Sequence, residues 1–414
     1  MPVYLGIDWS TQKHAAFFTN EKGTALQYLE VEHTLVGLNK LDAARHSLGI
    51  SPQECLVGIE TAHTLVMDFL AERNYQQIYV LHPNMVKSAQ GRFRQSGAKD
   101  DRADARLIAD LLRTDLHRLT RWQPDSPLTC QIRARISLAH FLTRQAVATS
   151  NRLWSVLLRY YPAALEVFSG LEALITLLFI QAYPTPQAAL QLSYAEFTAF
   201  LAAHHHRRPV EWPICFARLH TPQPAADPNI VLAYTPQAIL LAASLETLLR
   251  NKYQLLQETH ALFLQHPDAP IFASLPGTGK LLQPALLAKF GDNRLRFPSP
   301  AAVQQVAGTC PITRRSGKSK AVLFRLACDR NFRNIVHDWA RASTVKSPWA
   351  AAYFHSVRSH TNSDTHALRC LANRWLAILW KLWQSRQPYD ENYHLQQHLQ
   401  RSLPRLEIPA FAIP

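Results

Sequence analysis

Residues 99–105 read KDDRADA, and they lead into the amphipathic run ARLIADLLR at residues 105–113. Asp101 and Asp104 are three residues apart, and residues at that spacing share one face of a helix. Two carboxylates that point the same way repel each other unless a cation or a proton lies between them. The stretch therefore predicts a helix whose first turn presents two acids to a metal ion.

Two further acids end apolar, strand-like runs nearer the N-terminus. Asp8 follows VYLGI, and Glu60 follows LVGI. Around them, three extended runs come first, and strands then alternate with helices, which predicts a ribonuclease-H-like α/β fold. The first and fourth strands of such a sheet are neighbours. We therefore expect Asp8 and Glu60 to lie side by side, with the helix of Asp101 and Asp104 completing the group.

The chemistry of these four acids indicates a hard divalent cation. Oxygen-rich ligation suits Mg²⁺, or Mn²⁺, better than Zn²⁺. Two such ions activate a nucleophile and stabilise the leaving oxygen of a phosphodiester. Asp100, in the same turn, is a further acid that could take a ligand's place. The expected ligands are Asp8, Glu60, Asp101 and Asp104.

A rival interpretation of the first strand is the phosphate-binding hairpin of sugar kinases and actin-like ATPases. The run GIDWST at residues 6–11 has a superficial likeness to it. The chain has only 13 glycines, however, and no later Gly-Gly loop that would hold an adenosine. A strongly basic C-terminal part also argues for a different partner.

Charge is concentrated in one part of the 414-residue chain, which is long enough for two or three domains. Residues 271–386 contain 18 Lys or Arg against 4 Asp or Glu, which equals the whole formal net charge of +14. A basic domain on a neutral body favours a nucleic-acid partner. Six scattered cysteines without a CxxC pair indicate a reduced cytosolic setting and no zinc site.

Targeting signals are not expected. Asp8 interrupts what would be the apolar core of a signal peptide, and the apolar run at residues 171–180 is too short to span a bilayer. The sequence therefore predicts a soluble intracellular protein that is not associated with a membrane.

Residues 126–161 and 236–265 have the spacing of two long amphipathic helices. The second has a heptad pattern interrupted at Lys252 and Thr259, which predicts an antiparallel coiled-coil hairpin, with a helical-bundle core as the alternative. Between them, residues 184–236 are rich in Pro, Ala and Gln and are interpreted as an inserted surface loop. Adjacent histidines at residues 204–206 do not face a common point, so no metal site is expected there.

The predicted organisation has four parts. Residues 1–120 form the α/β metal-binding domain, and residues 121–269 form the helical coiled-coil region with its inserted loop. Residues 270–390 form a mainly helical basic domain, and residues 391–414 form a tail.

Two motifs of the basic domain can contact phosphate. LPGTGK at residues 275–280 is not a Walker loop, because Lys280 is followed by Leu281 and no hydroxyl is placed for Mg²⁺. A helix-hairpin-helix-like turn, whose backbone amides contact phosphate, is the better interpretation.

The second motif, RRSGKSK at residues 314–320, places Ser316 between cations that can stabilise a developing charge. Gly317 leaves the backbone free for a close approach. Taken on residues alone, a phosphate-binding loop is the stronger interpretation.

The ordered combination of motifs resembles a known family. These motifs are GIDWS, GIE, KDDRADA, LPGTGKLLQPALLAKFGD, VAGTCPITRRSGK and THALRCLANRWLAILW. Together they resemble the DEDD-type transposases of bacterial insertion sequences, the bridge-RNA-guided recombinases of the insertion-sequence family one-hundred-and-ten. The resemblance covers residues 3–116 and 275–390.

The resemblance implies a RuvC-like N-terminal domain whose DEDD acids, here Asp8, Glu60, Asp101 and Asp104, bind Mg²⁺. It also implies a C-terminal transposase domain whose serine attacks DNA and forms a covalent phosphoserine link. Pro311 and Gly317 match the family pattern, which assigns the nucleophile to Ser316.

This chain departs from the family pattern at two positions. Arg315 stands where the family has the first serine of Ser-Ser-Gly, and Asp100 stands where the family often has Thr. Ser319 is close enough to remain an alternative nucleophile.

The resemblance further implies that acids of one subunit meet the serine of another, within a dimer that pairs into a tetramer. A structured non-coding bridge RNA would pair with double-stranded donor and target DNA, and the protein would lie in the bacterial cytoplasm, associated with the nucleoid. The residues expected to contact nucleic acid are Lys99, Arg102, Lys280, Arg314, Arg315, Lys318 and Lys320. The alternatives are a RuvC-like magnesium-dependent nuclease or resolvase that uses water, and a non-catalytic nucleic-acid-binding remnant.

Overall fold

The computed structural model describes residues 2–60, 65–93, 100–317, 319–393 and 395–396, with side chains omitted at residues 92 and 93. The chain forms two compact units, Met1–Asp125 and Ser126–Pro414. Six cysteines lie in the described parts, and all six are free thiols.

The N-terminal unit contains a five-stranded mixed sheet in the order β3-β2-β1-β4-β5. Strand β1 pairs antiparallel with β2 and parallel with β4. The expected meander followed by alternating strands and helices is confirmed, and the sheet is compatible with a ribonuclease-H-like domain. The elements are β1 (Val3–Asp8), β2 (Lys13–Asn20), β3 (Ala25–Glu32), α1 (Leu35–Ser47), β4 (Cys55–Ile59), α2 (Leu65–Glu72), β5 (Gln77–Val80), α3 (Pro83–Phe93) and α4 (Asp101–Asp115).

The two faces of β1 pack against different helices. Val3, Leu5 and Ile7 are buried in one core together with side chains of α1 and α2. Because successive side chains of a strand point to opposite faces, Gly6 and Asp8 belong to the other face. That face is covered by α4, whose backbone lies against Gly6. The alternation therefore places Asp8 on the side of the sheet where α4 begins.

In the C-terminal unit, the long helices α5 (Pro127–Tyr160) and α10 (Pro228–Phe263) pack along each other. They run antiparallel, because Thr129 near the start of α5 contacts His266 just beyond α10, whereas Tyr160 at the end of α5 bonds to Thr235. One of the two residues that interrupt the heptad pattern, Thr259, fits this pairing. Thr259 is buried and donates its hydroxyl hydrogen to a carbonyl of its own helix, 2.6 Å away.

The segment interpreted as an inserted loop differs from that expectation, because much of it is helical. It contains α7 (Pro186–Leu190), α8 (Tyr194–Ala203) and α9 (Trp212–Leu219), which follow α6 (Leu174–Ala182). Pro186 and Pro228 occupy first turns of helices, where proline loses no hydrogen bond, and Pro236 lies inside α10. Phe197 and Leu201 are fully buried, in a core that the insert shares with α5 and α10. Its histidines diverge, since the His206 ring accepts from Trp212 and the His204 ring lies 4.5 Å from Phe200.

The remaining elements surround a second core built on three fully buried tryptophans, Trp339, Trp375 and Trp383. Ends of α5 and α10 contribute Ile132 and Phe263 to the same core. The long helices are therefore continuous with the basic part of the chain. The elements are α11 (Ala269–Ala273), α12 (Gly279–Phe290), α13 (Pro300–Val306), β6 (Ile312–Ser316), β7 (Ser319–Leu323), α14 (Arg330–Lys346), α15 (Pro348–Thr361) and α16 (Asp364–Ser385).

One helix of the described chain, α10, is long and apolar enough by length and composition to cross a membrane. In this fold it is paired with α5, and Glu258 on α10 forms an ion pair with Arg135 on α5 at 2.8 Å. A second ion pair joins Arg250 to Glu246 along its surface. Helix α10 is thus one half of a helical pair with charges on its outer side.

Candidate active site

The sheet places Asp8 and Glu60 beside each other. Ile7 pairs with Ile59 in the parallel register of β1 and β4, so the residues that follow them are neighbours. Both acids are half-buried. Ile7 and Ile59, which precede them, are buried in the core on the other face of the sheet. Because successive side chains of a strand alternate, both acids lie on the face that α4 covers. The neighbouring strands predicted from the sequence therefore bring these two carboxyl groups to one edge.

The first turn of α4 supplies the other two acids. Asp100 is the N-cap residue, and its carboxylate accepts a hydrogen bond from the backbone N–H of Arg102 at 3.2 Å. Asp101 is exposed and Asp104 is half-buried. A helix N-terminus favours negative charge, which offsets part of the repulsion between the two carboxylates. Asp100 thus acts as a cap in this structure, and Asp101 and Asp104 remain the predicted ligand positions.

Carboxylate oxygens of Asp8, Asp101 and Asp104 all lie within 4.8 Å of one another. Glu60 lies outside this group, but its pKa is raised by burial and then by the negative charge of Asp104. Three oxygen donors at this spacing fit a hard divalent cation. The structure therefore brings three of the four predicted acids together and places Glu60 within electrostatic range of the group.

Two parts of the predicted site are incompletely described. Lys99 and residues 61–64, which follow Glu60, lie outside the described residues.

Arg102 is exposed, and its guanidinium lies 4.8 Å from the centre of the Tyr28 ring on β3. Burial, followed by a hydrogen bond to Glu30, raises the pKa of Tyr28 to about 12. Arg102 is therefore held by a neutral aromatic ring on the same side of the sheet as α4.

A buried histidine that the sequence did not single out supports the loop after Asp8. The Ser10 backbone N–H donates to Nδ1 of His14 at 3.3 Å, and Nε2 of His14 lies 2.9 Å from Nδ1 of His33. Since Nδ1 of His14 is an acceptor, Nε2 carries the hydrogen and donates to His33. Burial, followed by the charge of His33, lowers the pKa of His14 to about 4. Nothing in the apolar run that contains it, HAAFF, marks this histidine in advance.

Ser316 lies at the tip of a two-stranded hairpin formed by β6 and β7, where the sequence indicated a loop. It pairs with Ser319 across a two-residue turn, and both serines are exposed. Gly317 opens the turn with φ +54°, a left-handed conformation that glycine adopts readily and that matches hairpin twist. The signal for a hairpin is the pair Gly-Lys between two extended runs. The turn presents the Ser316 hydroxyl to solvent.

Cations line both faces of this hairpin. Arg314 is two residues from Ser316 on the same strand and shares its face. Arg315 pairs directly with Lys320, which puts two exposed cations opposite each other on the other face. Like charges at such a position are destabilising unless an anion lies between them. Lys318 is outside the described residues.

The glycine-rich turn at residues 275–280 joins α11 to α12, and Lys280 is exposed at the start of α12. Gly277 has φ +81°, and a Cβ there would lie 2.6 Å from the Ala342 backbone on α14. The Thr278 hydroxyl donates to the Leu275 carbonyl oxygen at 2.8 Å. Packing on α14 is therefore one physical reason for the glycine, in addition to any contact of the turn with phosphate.

Two family models match the chain. One covers the sheet with its clustered acids, and the other covers the basic part that carries the exposed serine. Residues 5–162 match a family model described as "Transposase", that of the DEDD domain. Residues 269–355 match a second model, "Transposase IS116/IS110/IS902 family". The protein is a transposase, an enzyme that acts on DNA.

Relatives narrow the class. The chain is 31% identical to a Streptomyces coelicolor protein named for transposition of the IS117 mini-circle, over 94% of this chain and 96% of that protein. It is 25% identical to the 42 kDa protein of insertion element IS900 from Mycobacterium paratuberculosis, over 92% of this chain and 95% of that protein. The chain belongs to the IS110 family of transposases, which confirms the resemblance drawn from its motifs. The DEDD family implies a divalent metal ion.

Proposed function

We propose that this transposase is an RNA-guided DNA recombinase of a bacterial insertion sequence, and that it cuts and rejoins DNA through a phosphoserine link at Ser316. The observation that carries the proposal is the position of Ser316 at the tip of an exposed hairpin, with Arg314 on its own face. Arg315 and Lys320 add two further exposed charges to the same hairpin. This hairpin can enter a DNA groove and place one hydroxyl against one phosphate.

The proposed step is a transesterification, in which one phosphoester bond forms as another breaks. The Ser316 oxygen attacks phosphorus, its proton passes to water, and the bond to one deoxyribose oxygen breaks. That sugar oxygen takes up a proton, and the DNA strand stays attached to the serine as a phosphodiester. A second sugar hydroxyl can then displace the serine, so rejoining requires no nucleotide cofactor. Arg314 is placed to stabilise the charge that develops on the phosphate.

For the metal, we propose that Asp8, Asp101 and Asp104 hold Mg²⁺, with Glu60 beside them and Mn²⁺ as a substitute. A bound ion supplies polarisation of the phosphodiester and stabilisation of the leaving oxygen. The carboxylates fix the position of that charge, and the half-burial of Asp8, Glu60 and Asp104 limits competition from water. In this proposal the acids of one subunit complete a site with Ser316 of a partner copy, in a dimer that pairs into a tetramer.

The proposed partners are double-stranded donor and target DNA and a structured bridge RNA, in the bacterial cytoplasm. The surplus of 14 positive charges between residues 271 and 386 supports a polyanionic partner. In this account residues 1–120 hold the metal, residues 121–269 form the helical arm, and residues 270–390 carry the nucleophile. The residues proposed to contact nucleic acid are Lys99, Arg102, Lys280, Arg314, Arg315, Lys318 and Lys320.

A second candidate is a metal-dependent nuclease that uses water, in which Ser316 only binds phosphate. The grouping of Asp8, Asp101 and Asp104 favours it, because three carboxylates within 4.8 Å need no serine to activate water. The two candidates differ in whether the DNA is ever bonded to protein.

The test is a denaturing gel of the purified protein with DNA of the element's end and RNA transcribed from the DNA that flanks the gene. Wild type and Ser319→Ala should give a denaturation-resistant protein–DNA adduct, and Ser316→Ala should give none. Omitting the RNA should abolish the adduct. An adduct that persists in Ser316→Ala would exclude this serine, and cleavage without any adduct would favour the nuclease.

A further inference from the structure

A pocket of about 420 Å³ lies at the root of the serine hairpin, away from its tip. One wall is the backbone that enters β6 and leaves β7, with Val322 and Leu323 exposed at the end of β7. The other wall is formed by α15 and α16. We name it the hairpin-root pocket, and the residues used below are Thr309, Phe324, Tyr353, His366, Arg369 and Asn373.

Phe324 is an aromatic residue of the pocket that is held in place and still partly exposed. Its side chain is 43% exposed. Guanidinium groups of Arg333 and Arg369 lie 4.4 and 4.7 Å from the centre of its ring, so two cations fix its orientation. Keeping a phenylalanine exposed costs hydrophobic free energy that a flat aromatic ligand would recover. Tyr353 adds a second aromatic ring to the lining.

The polar groups of the pocket are few and oriented. The Thr309 hydroxyl donates to Oδ1 of Asn373 at 2.8 Å, which leaves the Asn373 amide nitrogen as the end that can donate to a ligand. An Arg369 guanidinium nitrogen lies 3.1 Å from Nδ1 of His366, which fixes the position of both side chains. Mainly apolar walls with a small number of placed donors and acceptors are typical of a site for a flat heterocycle.

We propose that the hairpin-root pocket receives an unpaired nucleobase from the DNA strand that Ser316 attacks. A nucleobase presents a stacking face for Phe324 and Tyr353 and a hydrogen-bonding edge for Asn373 and His366. The cations near the pocket suit the phosphates on either side of that base. This inference rests on the proposed function, because it requires DNA to lie along the hairpin.

The size of the hairpin limits how far along the DNA strand this base can be from the attacked phosphate. Ser316 and Ile312, at the tip and root of β6, are four residues apart, or roughly 13 Å at 3.3 Å per residue. Stacked DNA advances 3.4 Å per nucleotide along each strand, so the base lies within about four nucleotides of the attacked phosphate. Withdrawing a base this close unstacks the strand and leaves the phosphate accessible to the serine hydroxyl.

The test uses 2-aminopurine, a base analogue whose fluorescence reports stacking. It is placed singly at each position within four nucleotides of the cleavage point, in a duplex of the element's end. Full-length Ser316→Ala protein keeps the DNA uncut, and RNA transcribed from the flanking DNA is included. One position should change its fluorescence on binding. The change should disappear when Phe324→Leu is combined with Ser316→Ala, and it should remain when Leu326→Ala is combined with Ser316→Ala.

Leu326 is the matched control because it is 73% exposed, two residues beyond Phe324, and does not line the pocket. Phe324→Leu retains an apolar side chain at an exposed position, and an unchanged unfolding temperature verifies its fold. Loss of the stacking face should weaken binding of a single-stranded DNA oligonucleotide roughly 5- to 150-fold, the change that corresponds to about 1–3 kcal/mol per stacked base.

Several outcomes would overturn the proposal. These are fluorescence that is silent at every DNA position, a change that survives Phe324→Leu, or a response seen only when 2-aminopurine is placed in the RNA. A phosphoserine adduct with silent DNA probes would refute the pocket alone. A DNA response that depends on Phe324, combined with wild-type protein that forms no adduct, would retain the pocket and refute the serine mechanism.

Discussion

Gly6 of β1 lies directly against Ala105 of α4: a Cβ added at Gly6 would be 2.1 Å from the Ala105 carbonyl oxygen and 2.5 Å from the Ala109 nitrogen. Because α4 packs this closely on β1, its first turn reaches the end of the strand. Asp8 follows Gly6 by two residues on the same face, and Asp104 immediately precedes Ala105. The acidic group therefore depends on the absence of a side chain at Gly6.

Gly6→Ala should destroy the acidic group without removing a carboxylate. The added methyl must push α4 away from β1, and overpacking of this kind costs about 1–3 kcal/mol. We expect a lower free energy of unfolding in urea and loss of metal-dependent DNA cleavage. Gly91→Ala is the matched control, because nothing lies within 4 Å of that Cβ and alanine favours the helix. Full cleavage by Gly6→Ala would contradict the dependence of the site on this contact.

Divalent metal should stabilise the protein through the carboxylate group. Saturating Mg²⁺ at about 100 times its dissociation constant should raise the free energy of unfolding by about 2.7 kcal/mol. Asp8→Asn and Asp104→Asn should lose that increase and be at least as stable as wild type without metal, because repulsion is relieved. Asp68→Asn, at an exposed site on α2, should keep it. A Mg²⁺ effect that survives in Asp104→Asn would refute the assignment.

His14 should make stability depend on pH. Its folded pKa of about 4 lies below the ordinary value of 6.5, so between these values the unfolded chain binds a proton that the native one does not. Stability is therefore complete above pH 6.5 and falls as the pH drops to 4, by up to about 3 kcal/mol.

Urea unfolding at several pH values measures this loss. His14→Leu should be less stable at pH 7, because Ser10 and His33 lose their partner, but its stability should change less between pH 6.5 and 4. His46→Gln, at an exposed position of α1, should keep the wild-type slope. A slope that His14→Leu leaves unchanged would contradict the buried neutral histidine.

The N-terminal site was largely accessible from sequence because it is built from local patterns. Strand alternation determines the face of the sheet on which Asp8 lies, and the three-residue spacing puts Asp101 and Asp104 on one face of their helix. These two faces determine which carboxyl groups meet. The spatial contact of Gly6 with α4 was not accessible, since it joins residues about a hundred positions apart. For the same reason the pairing of His14 with His33 and Ser10 carried no local signal.

The secondary structure of the C-terminal unit was harder to predict from the sequence, for two reasons. Prolines at residues 184–236 were interpreted as loop formers, although Pro186 and Pro228 occupy first turns of helices, where proline is favoured. The basic run around Ser316 was interpreted as a loop because its strands are exposed on every residue from Thr313 and lack the alternation that marks a half-buried strand.

The turn of the serine hairpin should control reactivity without controlling global stability. Gly317 has φ +54°, and a residue with a Cβ pays about 1–2 kcal/mol in this conformation. Gly317→Ala should therefore slow formation of the protein–DNA adduct several-fold. Gly317→Asn should retain more activity, because asparagine tolerates the left-handed region.

The unfolding temperature of both Gly317 variants should match wild type, since the hairpin is exposed and contributes little to the core. Equal adduct rates for alanine and asparagine, or a fall in the unfolding temperature, would show that the turn conformation is not what presents Ser316.

The most direct test of the serine mechanism is peptide mass spectrometry of the protein–DNA adduct after digestion with nuclease and protease. We expect a nucleotide remnant bonded to the side-chain oxygen of Ser316, in wild type and in Ser319→Ala. A remnant on any other residue, or DNA cut in the presence of Mg²⁺ with no modified peptide, would contradict it.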